Sequence, residues 1–422
     1  MAITEDLTNP WRDKAAALDH YRWLLLRERH SALGSALRFA REALADWWFG
    51  VRAKRRLADT IVAQPCDFLL LQSAPKVIGF QRKKLLIAGL RDRGHSLVET
   101  ALQEPKQILR KRMLKAPPFS VPTRYFGLAA YAQWLVELHQ PKILLNDRNG
   151  SLYTPFLRLA LNARERLLVH LAHATTVESS RRLGMNDYDY YFLFGQSSLE
   201  ALQARTLRFG SSQVVLAGSH MIDQSFDMAP ADLAQRVLLV LGVGPDKEKE
   251  PGYQQTYALL RDWARSNPQY RVLVKAHPRS QVPFWQDAAG ALDNLQVLPS
   301  DCSLSAALQQ ASLVVNIMSN AVIEAALAKR PILYVNASGE VDIFAQERFL
   351  GPCITHLAAL QQAIRAVESE PEQALVNSAA FAEHPLANGC QGLACSMASL
   401  EQLLCGHLSV SNAPLLLTTV VR

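Results

Sequence analysis

A chain of 422 residues is too long for one ordinary hydrophobic core and fits two domains of roughly 150–200 residues each. Its 49% hydrophobic and 20% charged content describes a globular protein, and a formal net charge of +7 with a pI near 9.1 favours anionic partners: nucleotides, acidic glycans or phospholipid headgroups. No apolar run reaches the ~20 residues of a membrane span, no aromatic-interleaved basic motif argues for nucleic acid, and the six cysteines form no CxxC pair that would suggest zinc or a disulfide framework.

Residues 1–60 read as a helical extension, with Tyr21, Leu24, Leu37, Phe39, Leu44, Trp47 and Trp48 set among Arg38, Arg41 and Arg52–Arg56. Such a stripe fits either a packing helix with a solvated charged face or a helix lying in an anionic membrane interface. The first strand is Asp67–Leu71, followed by a helix over 80–91 and a strand over 96–100, a βαβ unit without GxGxxG and so without a dinucleotide fingerprint. Residues 104–124, basic and carrying Pro117-Pro118, read as an exposed loop. A helix over 131–138, the strand 142–145, a helix over 154–163, the strand 166–170, the strand 190–194, a helix from Ser198 and the strand 213–218 complete a doubly wound first half. The segment 221–235 reads as an interdomain connection. A second α/β series opens at Arg236–Gly244, with Pro245–Pro251 as a solvated charged loop and a helix over 253–265. The stretch 271–335 continues it, and helices over 357–368 and 391–405 close the chain.

The chemistry concentrates at strand ends, where ligands of open α/β sheets bind. Lys275-Ala-His277-Pro278 ends one strand; the proline biases His277 to extended backbone and fixes it at the strand terminus, where its imidazole and the Lys275 ammonium suit a phosphate. One βα unit later, Ser319 and Asn320 mark the passage from strand to helix, able to cap that helix and to face a phosphate at its N-terminus. Glu324 falls about one turn further on and either accepts from a ribose hydroxyl or complements the helix dipole. Gly242 and Gly244 give open backbone for close ligand approach. In the first half, His173 follows a strand within a polar stretch and suits general-base work on a hydroxyl, with Asp147 just past a strand end as the rival base. His170, inside the strand, reads as structural; the remaining histidines lack metal-ligand spacing, and no metal site is expected.

These motifs resemble a known family. Lys275-Ala-His277-Pro278, Ser319-Asn320-Ala-Val-Ile-Glu324-Ala and Pro331-Ile-Leu-Tyr334 are similar to the donor half of GT-B transferases of the CDP-glycerol glycerophosphotransferase and capsule-polysaccharide type, including polysialyltransferases and Kdo transferases. Leu171-Ala-His173-Ala-Thr, Leu183-Gly184 and Tyr190–Gly195 resemble their acceptor half, with Ala174 in place of the family's glycine and Asn320 in place of its second serine. Asn388-Gly389 is similar to the turn after which the family's chain crosses back to its first domain.

The resemblance implies a GT-B-like α/β fold of two Rossmann-type doubly wound domains facing a cleft, with an N-terminal helical extension. The expected segments are 1–60 (extension), 61–225 (acceptor domain), 226–385 (nucleotide-donor domain) and 386–422 (closing helix and tail). The expected function is transfer of a sugar-type or glycerophosphate group from a CMP- or CDP-linked donor to a hydroxyl of a surface-polysaccharide or lipid-linked glycan. Gly244, Lys275, His277, Ser319, Asn320 and Glu324 would hold the donor, and His173 or Asp147 would act as base, with no cofactor and no metal. The rival readings are a GT-B-like sugar-nucleotide epimerase or hydrolase and a non-catalytic scaffold that binds anionic glycans. Met1–Asp6 has no signal-peptide form, so a cytoplasmic protein is expected, peripheral on the inner membrane face if residues 1–60 meet lipid.

Overall fold

A computed structural model describes residues 9–173, 175, 181–280, 283–406 and 414–415. The chain separates into two units. Unit 1 takes the described residues up to Phe194, Ser198–Met221 and those from Ala394 onwards; unit 2 takes Gly195–Ser197 and Ile222–Leu393.

Unit 1 is built on β1 (Phe68–Gln72), β2 (Leu97–Ala101), β3 (Ile143–Asn146), β4 (Leu167–Leu171), β5 (Tyr190–Leu193) and β6 (Ser212–Leu216). They form one parallel sheet in the order β6-β5-β4-β3-β1-β2, with a short antiparallel strand, Pro414–Leu415, on the outer edge of β6. The run Phe68-Leu-Leu-Leu71 is wholly buried, as a parallel strand covered on both faces must be. The helix Thr123–His139 is apolar nearly all round and buries Tyr125, Leu128, Tyr131, Leu135 and Val136. Against it packs the N-terminal helix Ala32–Lys54, at a distance only glycine permits: a Cβ on Gly50 would lie 1.7 Å from the Thr123 carbonyl oxygen. The preceding helix, Pro10–Arg27, starts at an Asn9 side chain that accepts from the Trp11 and Arg12 amides. Its buried Trp11 stacks on Phe156 at 5.9 Å, so both N-terminal helices belong to the packed body of unit 1.

Unit 2 holds a second parallel sheet of β7 (Val237–Leu241), β8 (Arg271–Lys275), β9 (Leu295–Val297), β10 (Leu313–Asn316) and β11 (Ile332–Tyr334), ordered β11-β10-β7-β8-β9. Strand order reverses between β7 and β10, which makes their carboxyl ends the topological switch point. The helix Pro251–Ser266 buries Tyr253, Tyr257, Leu260 and Trp263 against the sheet, next to Trp285.

Four local expectations are corrected. The segment 104–124 contains a helix, Pro105–Arg110, which buries Ile108 and Leu109; Pro105 at its first turn starts it, and two apolar side chains outweigh the surrounding charge. The helix expected over 80–91 is two, Pro75–Ile78 and Lys84–Asp92, broken where Gln81 takes a left-handed φ of 48°. The loop 245–251 is not wholly solvated: Glu248 is buried and accepts from the Ser280 hydroxyl at 2.6 Å. Ser198 does not open its helix but lies buried inside Gln196–Gln203.

Candidate functional site

At the carboxyl edge of unit 2, register fixes what stands beside what. Leu241 pairs with Lys275 on one side and Asn316 on the other, so Lys275 and Asn316 are level and two strands, ~10 Å, apart. Beyond Lys275 the chain turns at His277, whose Nδ1 accepts from the Arg279 amide at 3.1 Å. That bond assigns the neutral ring its proton on Nε2, leaving a donor on the ring's far side. His277 lines a cavity of about 320 Å³ together with Pro278, Ser280, Pro283, Gln286 and Ser300. Lys275 is half-buried, and its Nζ reaches the Ser300 carbonyl only at 3.4 Å.

Ser319 and Asn320 occupy the turn after β10. Asn316, fully buried, holds that turn: its Oδ1 accepts from the Ser319 amide at 3.1 Å and its Nδ2 donates to Gln346 Oε1 at 2.7 Å. The following helix is short, Val322–Leu327, and begins at Ala321 without a side-chain cap; the Ser319 hydroxyl accepts from the Ala321 amide at 3.4 Å. Glu324, in its first turn, has a buried Oε2 with no hydrogen-bond partner, and desolvation raises its carboxyl pKa above the usual 4.5. The two glycines differ. A Cβ on Gly242 would stand 3.1 Å from the backbone of Ala276 and His277, so that residue serves the close fit of β7 against β8, whereas Gly244 faces open space. The Tyr257 hydroxyl accepts from the amide of Val243, between them, at 3.3 Å. The cavity beside His277 opens towards β9, while Ser319 and Asn320 lie on the β10 side of the switch point.

At the carboxyl edge of unit 1 the polar groups other than His173 are buried, and some of them are paired. Asp147, just past β3, accepts from Lys83 at 2.6 Å in an ion pair buried at both ends. Its other oxygen, Oδ1, is buried without a partner. His170, at the end of β4, has Nδ1 3.1 Å from the Asn146 amide nitrogen and Nε2 2.8 Å from Asn149 Oδ1, and stacks on Tyr188 at 4.3 Å. Those two bonds fix the neutral tautomer, and burial holds its pKa well below the usual range. His173 is exposed two residues past β4, close enough that a charge on it lowers the pKa of both His170 and His220. His220 follows β6, fully buried with Nε2 unpartnered; burial first, then the Lys83 and His173 charges, push it down to about 3.

Gly244, Lys275, His277, Ser319 and Asn320 stand at or just past carboxyl strand ends in unit 2 and Asp147 and His173 in unit 1, while Glu324 lies in the first turn of the helix after β10. Four further residues escaped the sequence reading: Lys83, His220, Glu248 and Asn316. Asn316 carried a local signal, a polar residue ending an apolar strand; Lys83, inside the basic run Arg82-Lys83-Lys84, carried none. Among the described residues no group of three or more His, Cys, Asp or Glu side chains could hold a metal ion.

No protein-family model and no curated protein sequence matches the chain. Solved structures do. A protein assigned as a UDP-N-acetylglucosamine 2-epimerase from Listeria monocytogenes matches with a TM-score of 0.52 at 14% identity, over 82% of this chain and 99% of that one. The UDP-GlcNAc 2-epimerase of Neisseria meningitidis, solved with UDP-GlcNAc bound, aligns with 79% of this chain and 100% of its own, at 11% identity and a TM-score of 0.47. MurG of Acinetobacter baumannii aligns at 13% identity and 0.45, over 79% and 99%. The likeness to the Listeria protein is one of fold, two parallel α/β units in a GT-B-like arrangement of elements; in this chain two N-terminal helices precede the first sheet.

Proposed function

We propose that the protein is a GT-B-type sugar-nucleotide enzyme, and specifically a transferase. It would move a sugar-type or glycerophosphate group from a CMP- or CDP-linked donor to a hydroxyl of a surface-polysaccharide or lipid-linked glycan. The observation that supports this most is His277, with its Nδ1 tied to backbone so that Nε2 is left to donate, lining a cavity at the carboxyl end of β8. In this reading His277 and Lys275 neutralise the charge developing on the leaving phosphate, an electrostatic role. Gly244 leaves room for the phosphates, Ser319 and Asn320 contact them, and Glu324 Oε2 accepts from a ribose hydroxyl. The acceptor hydroxyl loses its proton to His173 or to Asp147. We favour His173, which is exposed, over Asp147, whose Oδ2 is already committed to Lys83. The proposal gives no step to a metal, so turnover should survive chelation.

A second reading, a sugar-nucleotide epimerase or hydrolase, is supported by the activity assigned to the Listeria protein whose fold this chain shares. Product analysis without acceptor separates the two, because only this reading consumes donor there. The deciding measurement for the donor side is a thermal-shift panel of CMP, CDP, UDP, GDP and their sugars. Ligand at about 100 times Kd stabilises by ~2.7 kcal/mol. A cytidine-selective shift lost in His277→Ala supports the transferase as stated, and a uridine-selective shift moves the donor to UDP. No shift with any nucleotide overturns both enzyme readings in favour of a glycan-binding scaffold.

A further inference from the structure

The helix Ala32–Lys54 has two faces of opposite character. One is committed to the body of unit 1: Ser35, Gly50 and Ala53 are buried, and Gly50 abuts the Thr123 backbone. The acids of this helix turn to that side too, Glu42 and Asp46 pairing with the buried Arg22 at 3.0 and 2.7 Å. The opposite face is apolar and exposed. Leu33 is 72% exposed, Leu37 65%, Leu44 66%, Trp48 57% and Trp47 46%. At 3.6 residues per turn these five side chains, with Ala40 and Val51, fall within an arc of about 100°. Arg38, Arg41 and Arg52 are exposed along one flank, and Lys54, Arg55 and Arg56 at the C-terminal end.

We propose that this face docks on an anionic lipid surface, with the leucines and tryptophans in the boundary between headgroup and acyl chain and the arginines on the headgroups. Trp and Leu flanked by basic side chains is the composition of helices that lie in that plane. The charge selects the occupant. Glu42, 41% exposed, and Asp46 are both tied to Arg22, so Arg38, Arg41, Arg52, Lys54, Arg55 and Arg56 dominate the exposed flanks, which complements an anionic bilayer and repels the same stripe on a second copy. No described helix is long and apolar enough to cross a membrane, so the contact lies on the surface. The inference rests on the geometry of this helix and not on the nucleotide reading.

The test is flotation of the full chain with phosphatidylcholine vesicles, with and without phosphatidylglycerol. The wild type should float only with the anionic vesicles, and less at high salt. Leu44→Ser/Trp48→Ser should lose binding at least ~10-fold. Arg38→Gln/Arg41→Gln/Arg52→Gln, which keeps the apolar stripe, should partition about a hundredfold more weakly and lose its salt dependence. All five substituted side chains are exposed, so both variants should melt with the wild type and keep any nucleotide shift it shows; a failed nucleotide panel leaves the flotation result standing. Wild type that stays at the bottom with anionic vesicles overturns the proposal. So do variants that float like it, and so does a concentration-dependent dimer, broken by Leu44→Ser/Trp48→Ser, in a protein that ignores vesicles.

Discussion

The two sheets present their carboxyl edges in opposite states. In unit 1 the edge is largely closed: Lys83 and Asp147 form a buried ion pair and His170 is locked neutral between two asparagines, although Asp147 Oδ1 and His220 Nε2 stay unpartnered. In unit 2 the edge is open: His277 borders a cavity, Gly244 faces empty space, and Glu324 Oε2 lacks a partner. A closed edge spends its polar groups on itself and gains rigidity; an open one keeps them for a ligand and is less satisfied without it. The same α/β plan thus yields one edge whose charges are held in a buried ion pair and one whose polar groups border a cavity.

The largest effect should come from opening the closed edge. Lys83→Met leaves Asp147 buried without its partner and should cost about 3–5 kcal/mol in chemical denaturation. Lys83→Met/Asp147→Leu should recover much of that, and failure to recover would mean the two residues act separately. On the open edge, His277→Ala should lower turnover about 10²-fold while changing stability by under ~1 kcal/mol. A large stability loss there would make the open edge structural after all. Gly242→Ala should cost ~1–3 kcal/mol, because its Cβ meets the β8 backbone, and Gly244→Ala should change stability by under ~0.5 kcal/mol. The smallest effect concerns Glu324. Its folded-state pKa is raised above the unfolded value, so the folded form binds more protons and stability falls as pH rises from 4.5 through the raised pKa. Glu324→Gln removes that loss. The variant should gain on the wild type in urea midpoint between pH 4 and pH 8, and equal midpoints across that range would return Glu324 to a satisfied, structural role.

Much of the open edge was legible in the sequence because its signals are local. Pro278 constrains the residue before it, an apolar run shows where β8 ends, and His277 must sit where the two meet. Ser319 and Asn320 follow β10 for the same reason. What was misread at this edge concerns neighbours far along the chain. Gly242 read as room for a ligand, and the room is filled by β8. Glu248 read as solvated, and Ser280, 32 positions on, draws it inward. The closed edge was less legible still. Asp147 was noticed as a strand-end carboxylate, but its partner lies 64 positions away in a run that looks like basic surface.

From the sequence alone came the α/β alternation, the two series of strands, the buried character of runs such as Phe68–Leu71 and the strand-end position of each candidate residue. These follow from periodicity and backbone restriction, which act over a few residues. Tertiary structure alone decided the strand orders, and with them the switch point between β7 and β10. It decided which charges are buried as pairs and which carboxylate oxygens, Asp147 Oδ1 and Glu324 Oε2, are buried without a partner. It also decided which face of the helix Ala32–Lys54 stays uncovered, a stripe that in the sequence fits a packing helix somewhat better than membrane contact. Those outcomes depend on what the rest of the chain brings alongside, because the cost of burying a charge or exposing a leucine is set by the neighbour and not by the residue.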